Sequence, residues 1–275
     1  MTTRIALIAG AGRFPFHVAQ EAKRQGVVVV AMGLRGWADP TLAAHVDTYE
    51  DIAVGELGRL IARLKVHGVQ QAIMAGKVTK DVLFDPRASF DAETLAVLSR
   101  VKDASVTALL GAIATRLAQD GITLLDSSTY LRQSLCPIGV LTSRRPTATE
   151  EEDMRIGVEA ARQLAALDIG QTVIVKGRVI VAVEALEGTD ATIRRAHTLA
   201  RDGLVVVKTA SATQDWRFDL PVIGTETLTL ARDSGVSCIA VEAGSTLLLE
   251  RDALIRLANS TGIAVVGVAI PARSS

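Results

Sequence analysis

Short aliphatic runs that end in glycine or polar residues recur along the whole chain and limit the folds it can adopt. The clearest are residues 5–9, 203–207 and 263–268. Runs of this kind, rich in β-branched residues, are typical of strands that are buried on both faces of a sheet. The chain is 49% hydrophobic but only 3% aromatic, so its core must be built from Ala, Val, Leu and Ile. The pattern predicts an α/β protein in which helices cover a parallel sheet.

The distribution of these runs predicts two domains within the 275 residues. In the first half, about four strands alternate with helices, which is typical of a Rossmann-like parallel sheet. Two prolines and several polar residues then occur close together, which is typical of a linker. After it we expect a mixed α/β domain that includes a hairpin with a Gly177-Arg178 turn. The predicted boundaries are 1–133 for the Rossmann-like N-terminal domain, 134–149 for the linker and 150–275 for the C-terminal catalytic α/β domain.

Charge and cysteine content argue against several classes of protein. Lys plus Arg and Asp plus Glu each total 30, so there is no net charge to attract nucleic acid. Cys136 and Cys238 are far apart, which favours free thiols in a reducing cytosol over a disulfide or metal site. The apolar run after Arg4 is too short for a signal peptide, and no run is long enough to cross a bilayer. We therefore expect a cytoplasmic protein, with peripheral contact to the inner membrane surface left open.

A glycine turn follows the first predicted strand and precedes a predicted helix. Its residues Gly10 and Gly12, followed by Arg13, allow backbone N–H groups to approach a phosphate at a helix N-terminus. However, Pro15 replaces the third glycine of the dinucleotide-binding motif, and no acidic residue ends the second strand. The turn therefore fits a phosphate or a uridine diphosphate as well as it fits NAD.

Gly76 and Lys77 directly follow the strand predicted at residues 71–75. A Gly-Lys pair at the end of a strand can bind a phosphate oxygen through an N–H group and an ammonium. An ordinary turn with an exposed lysine is an equal alternative. The pair is not a P-loop, because the upstream glycine and the following Ser or Thr are missing.

Two polar clusters lie at strand ends in the second half of the chain. The first, in residues 183–190, contains Glu184, Thr189 and Asp190, with a simple helix N-cap as the alternative role of Asp190. The second spans residues 208–224 and is the densest polar stretch between apolar segments. Loops just past strand ends are where α/β proteins place their chemistry, although a surface Asp–Arg pair is the alternative. The polar residues of this second cluster are Lys208, Gln214, Asp215, Arg217 and Asp219.

Together these segments resemble the UDP-2,3-diacylglucosamine pyrophosphatases of the LpxI type, a family of lipid A biosynthesis. The resemblance covers essentially the whole chain, and its last three segments are highly specific in combination. The chain departs from the pattern at Ala104, which follows Lys102 and Asp103 where many relatives are expected to carry a second aspartate nearby. The segments that carry the resemblance are 8–15, 102–103, 167–171, 183–190 and 214–224.

The resemblance implies two domains that hold the substrate between them. It implies Mg²⁺-dependent hydrolysis of the pyrophosphate bond to UMP and 2,3-diacylglucosamine 1-phosphate, known as lipid X. Water would attack the phosphorus nearer the sugar, and the catalytic aspartate is expected among residues 214–219. The resemblance also implies a homodimer.

The chemistry of this reaction suggests a role for each polar residue. Pyrophosphate hydrolysis needs neutralised phosphate charge and an oriented water, and carboxylates suit a Mg²⁺ ion that keeps several waters. We therefore predict Asp215 and Asp219 as catalytic, and these two with Asp190 and Glu184 as metal ligands. The predicted substrate-binding residues are Gly10, Gly12, Arg13, Gly76, Lys77, Thr189, Lys208, Gln214 and Arg217.

Two other functions compete with this hypothesis. The glycine turn alone allows an NAD(P)-dependent Rossmann oxidoreductase, which a titration with NAD would test. A non-catalytic carrier of nucleotide or lipid is the other alternative. A purified sample that releases no UMP with Mg²⁺ would favour the carrier.

Overall fold

The structure is a computed structural model that describes residues 3–78, 89–101, 106–210, 215–218 and 220–270. The chain forms two compact units. The first comprises Met1–Arg132 with Asp215–Asp219, and the second comprises Gln133–Gln214 with Leu220–Ser275. The predicted fold class is confirmed, because the first sheet is wholly parallel and the second is mixed. Among the residues described, no helix is both long and apolar enough to cross a membrane.

The first unit is built on a five-stranded parallel sheet with the order β3-β2-β1-β4-β5. This is the Rossmann strand order 3-2-1-4-5-6 without its sixth strand, and its topological switch point lies between β1 and β4. The strands are β1 (Arg4–Ala9), β2 (Val28–Leu34), β3 (Thr48–Ile52), β4 (Gln71–Ala75) and β5 (Thr123–Leu124), and the helices are α1 (Phe14–Arg24), α2 (Leu57–Val66), α3 (Ala92–Leu98) and α4 (Val106–Gln119).

Helix α2 shows how the sequence builds the core of this unit. Leu57, Leu60, Ile61 and Leu64 recur at helical spacing, and all four are buried. They pack in one cluster with side chains of the sheet such as Met32. Burial of each such side chain contributes about 1.5–3 kcal/mol to folding.

The prediction of about four strands in the first half is wrong, because β3 is a fifth. Its sequence, Thr-Tyr-Glu-Asp-Ile, lacks the aliphatic run that marks the other strands. The strand lies at the edge of the sheet, where polar side chains are favoured because one side faces solvent.

The second unit contains a six-stranded mixed sheet with the order β6-β13-β11-β9-β7-β8, and a small parallel pair formed by β10 and β12. The central strands β9, β11 and β13 are parallel, whereas β6 and β7 run antiparallel to the strands beside them. The strands are β6 (Gly139–Val140), β7 (Thr172–Lys176), β8 (Val179–Val183), β9 (Leu204–Lys208), β10 (Val222–Ile223), β11 (Val236–Glu242), β12 (Leu247–Leu248) and β13 (Ala264–Val268), and the helices are α5 (Ala148–Ala166), α6 (Thr189–Ala200), α7 (Thr225–Asp233) and α8 (Arg251–Thr261).

The predicted hairpin is formed by β7 and β8. Both residues of its turn have positive φ, +56° at Gly177 and +67° at Arg178, as a tight primed turn requires. Their N–H groups donate to the buried carboxylate of Asp153 on α5, at 2.9 and 2.5 Å. A capping box between Thr147 and Glu150 begins α5. Part of the acidic run at the start of α5 therefore stabilises local structure.

The segment 134–149, predicted as a linker, contains β6, which pairs with β13 through Val140 and Gly139. It also contains Cys136, whose N–H donates to the carbonyl of Thr246 at 2.8 Å. In the structure these residues belong to the second unit.

Candidate functional site

The loops after β1 and β4 are joined to each other at the switch point of the first sheet. The Ala11 N–H donates to the Lys77 carbonyl at 2.8 Å, and the Lys77 N–H donates to the Ala11 carbonyl at 2.9 Å. The Gly10 N–H donates to the Ala75 carbonyl at 2.8 Å. The N–H groups of Gly10, Ala11 and Lys77 therefore already donate to backbone carbonyls. The group of Lys77 that can still bind a phosphate is its exposed side-chain ammonium.

Arg13 lies at the N-cap position of α1, next to this joined pair of loops. Its side chain is exposed, and the guanidinium carbon lies 4.4 Å from the centre of the Phe16 ring. The first turn of α1 contains no acidic residue, so the positive end of the helix dipole is not offset there. Gly12 and Arg13 thus form an electropositive corner at the carboxyl edge of the sheet.

Residues 215–218 pack on the first unit although they follow β9 of the second unit in sequence. The N–H of Ser127 donates to the Trp216 carbonyl at 2.9 Å. The Ser127 hydroxyl lies 2.8 Å from the Arg217 carbonyl and 2.7 Å from the Met74 carbonyl. Phe218 packs against the apolar core of this unit. Sequence reasoning missed Ser127, although its place just after β5 at the same sheet edge was a usable signal.

Within this segment Asp215 and Arg217 form a bidentate ion pair. The Arg217 Nε lies 2.8 Å from one carboxylate oxygen and 3.1 Å from the other. The Arg217 backbone N–H also donates to the same carboxylate. The hydrogen bond from the Arg217 side chain lowers the pKa of Asp215 below its usual value, although partial burial opposes the shift. Asp215 is therefore ionised at neutral pH, and its charge is matched by a fixed guanidinium.

In the second unit, Lys208, Thr189 and Glu184 form a hydrogen-bonded chain. The Lys208 ammonium donates to the Thr189 hydroxyl at 2.9 Å, and that hydroxyl donates to the Glu184 carboxylate at 2.9 Å. The fully buried Thr172 hydroxyl lies 3.3 Å from the Thr189 hydroxyl. Because Thr189 gives its only hydrogen to Glu184, Thr172 must be the donor of that contact. Thr172 begins β7, and its role was missed in the sequence.

This chain of polar groups lies at the N-terminus of α6, where the helix dipole favours an anion. The helix begins at Thr189, and its N-cap is Gly188 with φ +80°. The alternative in which Asp190 is the N-cap is therefore wrong. Asp190 is instead an exposed residue of the first helical turn.

The polar residues described here fit an anion better than an assembled metal cage. In the described ranges, no group of three or more His, Cys, Asp or Glu residues is placed to hold a metal ion. Asp215 is paired with Arg217, and Glu184 is linked through Thr189 to a lysine. Carboxylate oxygens of this kind can still join Mg²⁺ when substrate phosphates and waters supply the other ligands.

The structure places the predicted residues in two groups. Gln214 and Asp219 lie outside the described residues, as do Lys102 and Asp103 of the resemblance. The first unit contains Gly10, Gly12, Arg13, Gly76, Lys77, Asp215 and Arg217, and the second contains Glu184, Thr189, Asp190 and Lys208.

Both cysteines are buried free thiols. Burial raises the pKa of Cys136 to about 11 and that of Cys238 to about 12. Neither thiol forms a reactive thiolate at neutral pH, so neither contributes to the candidate site.

Comparison with solved structures gives only weak likenesses. The CobK precorrin-6A reductase is 15% identical, with 100% of this chain and 91% of that chain covered, at a TM-score of 0.28. A UDP-glucose-4-epimerase from Stenotrophomonas maltophila is 16% identical over 44% of this chain and 34% of that chain, at a TM-score of 0.25. At such scores neither likeness carries an argument.

Comparison with protein families and curated proteins is much more informative. The family model for the LpxI N-terminal domain matches residues 4–134, and that for the LpxI C-terminal domain matches residues 137–266. The UDP-2,3-diacylglucosamine pyrophosphatase LpxI of Caulobacter vibrioides is 31% identical over 277 residues, which cover 96% of this chain and 97% of the relative. The two domain matches, in this order, and the nearly full-length identity show that this chain belongs to the LpxI family.

Proposed function

We propose that this chain hydrolyses the pyrophosphate bond of UDP-2,3-diacylglucosamine to UMP and 2,3-diacylglucosamine 1-phosphate. The observation that carries the proposal is the 31% identity, over nearly the whole of both chains, to a protein named for that activity. The polar groups at the edges of both sheets are of the types that such a reaction requires.

Lys208 and Thr189 are proposed to bind a phosphate group of the substrate. The Lys208 ammonium, which keeps two hydrogens beyond the one given to Thr189, lies beside the N-terminus of α6, and both can donate hydrogen bonds to phosphate oxygens. Glu184 orients the Thr189 hydroxyl and keeps Lys208 in place through it. The same three residues therefore form a preorganised anion site.

Asp215 and Asp219 are proposed to position the attacking water. In this reaction the water oxygen bonds to the phosphorus nearer the sugar, the bridging P–O bond breaks, and UMP leaves. Ionised Asp215 can accept a hydrogen bond from the water, while Arg217 balances negative charge on the phosphates. Gln214 is proposed to bind substrate beside them.

Magnesium is proposed as the cofactor. When bound, it would neutralise negative charge on the diphosphate. The proposed ligands are carboxylates of Asp215, Asp219, Asp190 and Glu184. Because Mg²⁺ usually takes only one or two protein carboxylates together with substrate oxygens, not all four are required at once.

The loops of the first unit are proposed to receive the diphosphate or the uridine. Gly12 and Arg13 lie at the N-terminus of α1, and the ammonium of Lys77 follows β4 at the switch point. The oxidoreductase alternative has less support, because Pro15 takes the place of the third glycine of the dinucleotide-binding motif and no acidic residue ends β2.

A homodimer is also proposed, with β8 as the strand that joins two copies. In the described part of the chain β8 pairs with β7 alone, and its Val179 and Ile180 are 63% and 43% exposed. Uncharged exposed edge strands pair readily with a further strand. Antiparallel pairing about a two-fold axis near Val181 would set Arg178 of one copy beside the glutamates of segment 184–187 of the other.

A cytoplasmic location is proposed from the same homology, with the diacylated substrate reached at the cytoplasmic face of the inner membrane. Vesicle flotation of the purified protein, with and without anionic lipid, would test the peripheral contact.

The test of the main proposal is turnover of UDP-2,3-diacylglucosamine by the purified protein with and without Mg²⁺. We expect UMP release that EDTA abolishes, and in ¹⁸O-labelled water the label should enter the sugar 1-phosphate. Asp215→Asn and Asp219→Asn should lose most turnover, whereas Asp233→Asn, which alters an exposed Asp–Arg pair on α7, should not. No UMP release by the wild-type protein would refute the proposal.

A further inference from the structure

Ser127 makes an unusual set of contacts for a residue just past a strand end. It is 2% exposed, and it contacts three backbone carbonyls, one through its N–H and two through its hydroxyl. Two of these carbonyls belong to Trp216 and Arg217, and the third belongs to Met74 in β4. A serine hydroxyl has one hydrogen, which the Met74 and Arg217 carbonyls must share.

The turn that carries Ser127 is itself fixed. The carboxylate of Asp126 accepts hydrogen bonds from the N–H and the hydroxyl of Ser128, each at 2.7 Å. The Leu125 N–H, one residue earlier, donates to the Ala72 carbonyl at 2.8 Å, so the turn is attached to the parallel sheet. Ser127 is therefore a rigid point on the first unit.

The segment held by Ser127 is short and rigid in its own right. Asp215 and Arg217 are bonded to each other, and the Phe218 N–H donates to the Asp215 carbonyl at 3.2 Å. Phe218 is partly buried and packs against the core of the first unit. A backbone shift at Trp216 or Arg217 would consequently move the Asp215 carboxylate with it.

We infer that Ser127 is a positioning residue for hydrolysis, which fixes the backbone of residues 216–217 and thereby the direction of the Asp215 carboxylate. The inference rests on the proposed function, since it assumes that this segment acts on the substrate. Displacement of a reacting group by about 1 Å can reduce a rate by about 100-fold, so a single backbone anchor can control turnover.

The test compares Ser127→Ala with Ser128→Ala. Both serines are almost fully buried, at 2% and 1% exposed, but the Ser128 hydroxyl bonds only to Asp126 in its own turn, and Ser128→Ala keeps the backbone N–H bond to Asp126 that fixes this turn. We expect Ser127→Ala to lower kcat about tenfold to 100-fold with little change in KM. Ser128→Ala should retain wild-type kcat, and both variants should keep the wild-type circular dichroism spectrum.

A second readout does not depend on activity. The chain has two tryptophans, Trp37 and Trp216. In a Trp37→Phe background, the fluorescence of Trp216 reports on the segment that Ser127 holds. Ser127→Ala should change its emission and its quenching by acrylamide, and Ser128→Ala should not.

The outcomes separate this inference from the proposed function. If the wild-type protein releases no UMP, both fail. If the wild-type protein is active and Ser127→Ala has unchanged kcat, or loses no more than Ser128→Ala does, only the role of Ser127 is refuted. An unchanged Trp216 signal in Ser127→Ala would equally refute it.

Discussion

Gly76 and Gly10 approach each other so closely that neither position can hold a side chain. A Cβ on Gly76 would lie 2.7 Å from the carbonyl carbon of Gly10, and a Cβ on Gly10 would lie 2.8 Å from the carbonyl oxygen of Lys77. The contact joins the loops after β1 and β4, the two strands that flank the switch point. These glycines therefore serve backbone packing at the place where Rossmann-like sheets bind ligands.

This relationship predicts different costs for two glycine substitutions. Gly12 and Gly76 both have positive φ, +89° and +95°, but only Gly76 would bring its Cβ against backbone. Gly12→Ala should lower the free energy of unfolding by about 1–2 kcal/mol, which is the cost of the left-handed conformation alone. Gly76→Ala should lower it by about 3 kcal/mol or more, because steric overlap is added. Urea unfolding measures both, and equal costs would contradict the close approach.

The anion site proposed for the second unit predicts a selective effect of lysine substitutions. Lys208→Met removes the donor to Thr189 and should raise KM about tenfold to 100-fold, the range expected for a charge-assisted hydrogen bond. Lys176→Met is the control, since Lys176 is exposed and donates to the Ala200 carbonyl at the far end of α6. Steady-state kinetics with UDP-2,3-diacylglucosamine would show the difference. Similar KM values for the two variants would argue against a phosphate role for Lys208.

Much of the fold could be predicted because its signals are local. Continuous aliphatic runs identify strands such as β4, for which the prediction of residues 71–75 is confirmed. A glycine between two β-branched runs identifies the Gly177-Arg178 turn, because glycine readily adopts the positive φ that such a turn requires. The edge strand β3 was missed, because the prediction depends on aliphatic runs and a strand at the edge of a sheet can carry polar residues instead.

The candidate site was less predictable, because its contacts are long-range. Residues 215–218 lie in the C-terminal half of the sequence, yet they pack on the first unit through Ser127, which is about 90 positions away. No local pattern encodes such a contact. By contrast, Lys208, Thr189 and Glu184 were each found as polar residues at strand ends, and register between neighbouring strands brings them together.

Glu50 on β3, which is paired with Arg63 and His67, predicts a specific pH dependence of stability. Hydrogen bonds from Arg63, together with one from His67, lower the pKa of Glu50 to about 2. A carboxylate with a lowered folded-state pKa stabilises the fold fully above its unfolded value of 4.5, and this stabilisation is lost as pH falls toward 2. Glu50→Gln should therefore be less stable than wild type at pH 7, and the difference should shrink below about pH 4.5. Arg63→Met should show the same pH window in urea unfolding, and a pH-independent difference would contradict this account.

The proposed dimer predicts that charge on β8 separates the copies. Ile180→Lys adds a charge to the exposed edge strand, where like charges would face each other across a two-fold axis. Sedimentation velocity should show a dimer for wild type and a monomer for the variant. Leu199→Lys is the control, because Leu199 is also an exposed apolar residue, at 65% against 43% for Ile180, but lies on α6. A wild-type monomer, or a dimer that survives Ile180→Lys, would exclude this interface.

The Asp215–Arg217 pair predicts how mutation shifts the acid limb of the pH profile of kcat/KM. In wild type, the hydrogen bonds from Arg217 hold the pKa of Asp215 below 3.8. Arg217→Gln removes the guanidinium, so the pKa of Asp215 should rise toward 3.8. Arg217→Lys should give a smaller rise, because lysine keeps the positive charge but cannot bind both carboxylate oxygens.

If ionised Asp215 acts in hydrolysis, the acid limb of the pH profile of kcat/KM should move to higher pH in both variants. The shift should be larger in Arg217→Gln than in Arg217→Lys. Carbon NMR titration of the carboxyl groups checks the pKa directly. Asp39, whose pKa is lowered mainly by hydrogen bonds from Thr41, is the internal control that should not move. A shift of the acid limb without a shift of the Asp215 resonance would assign the limb to another group, with Asp219 the first to test.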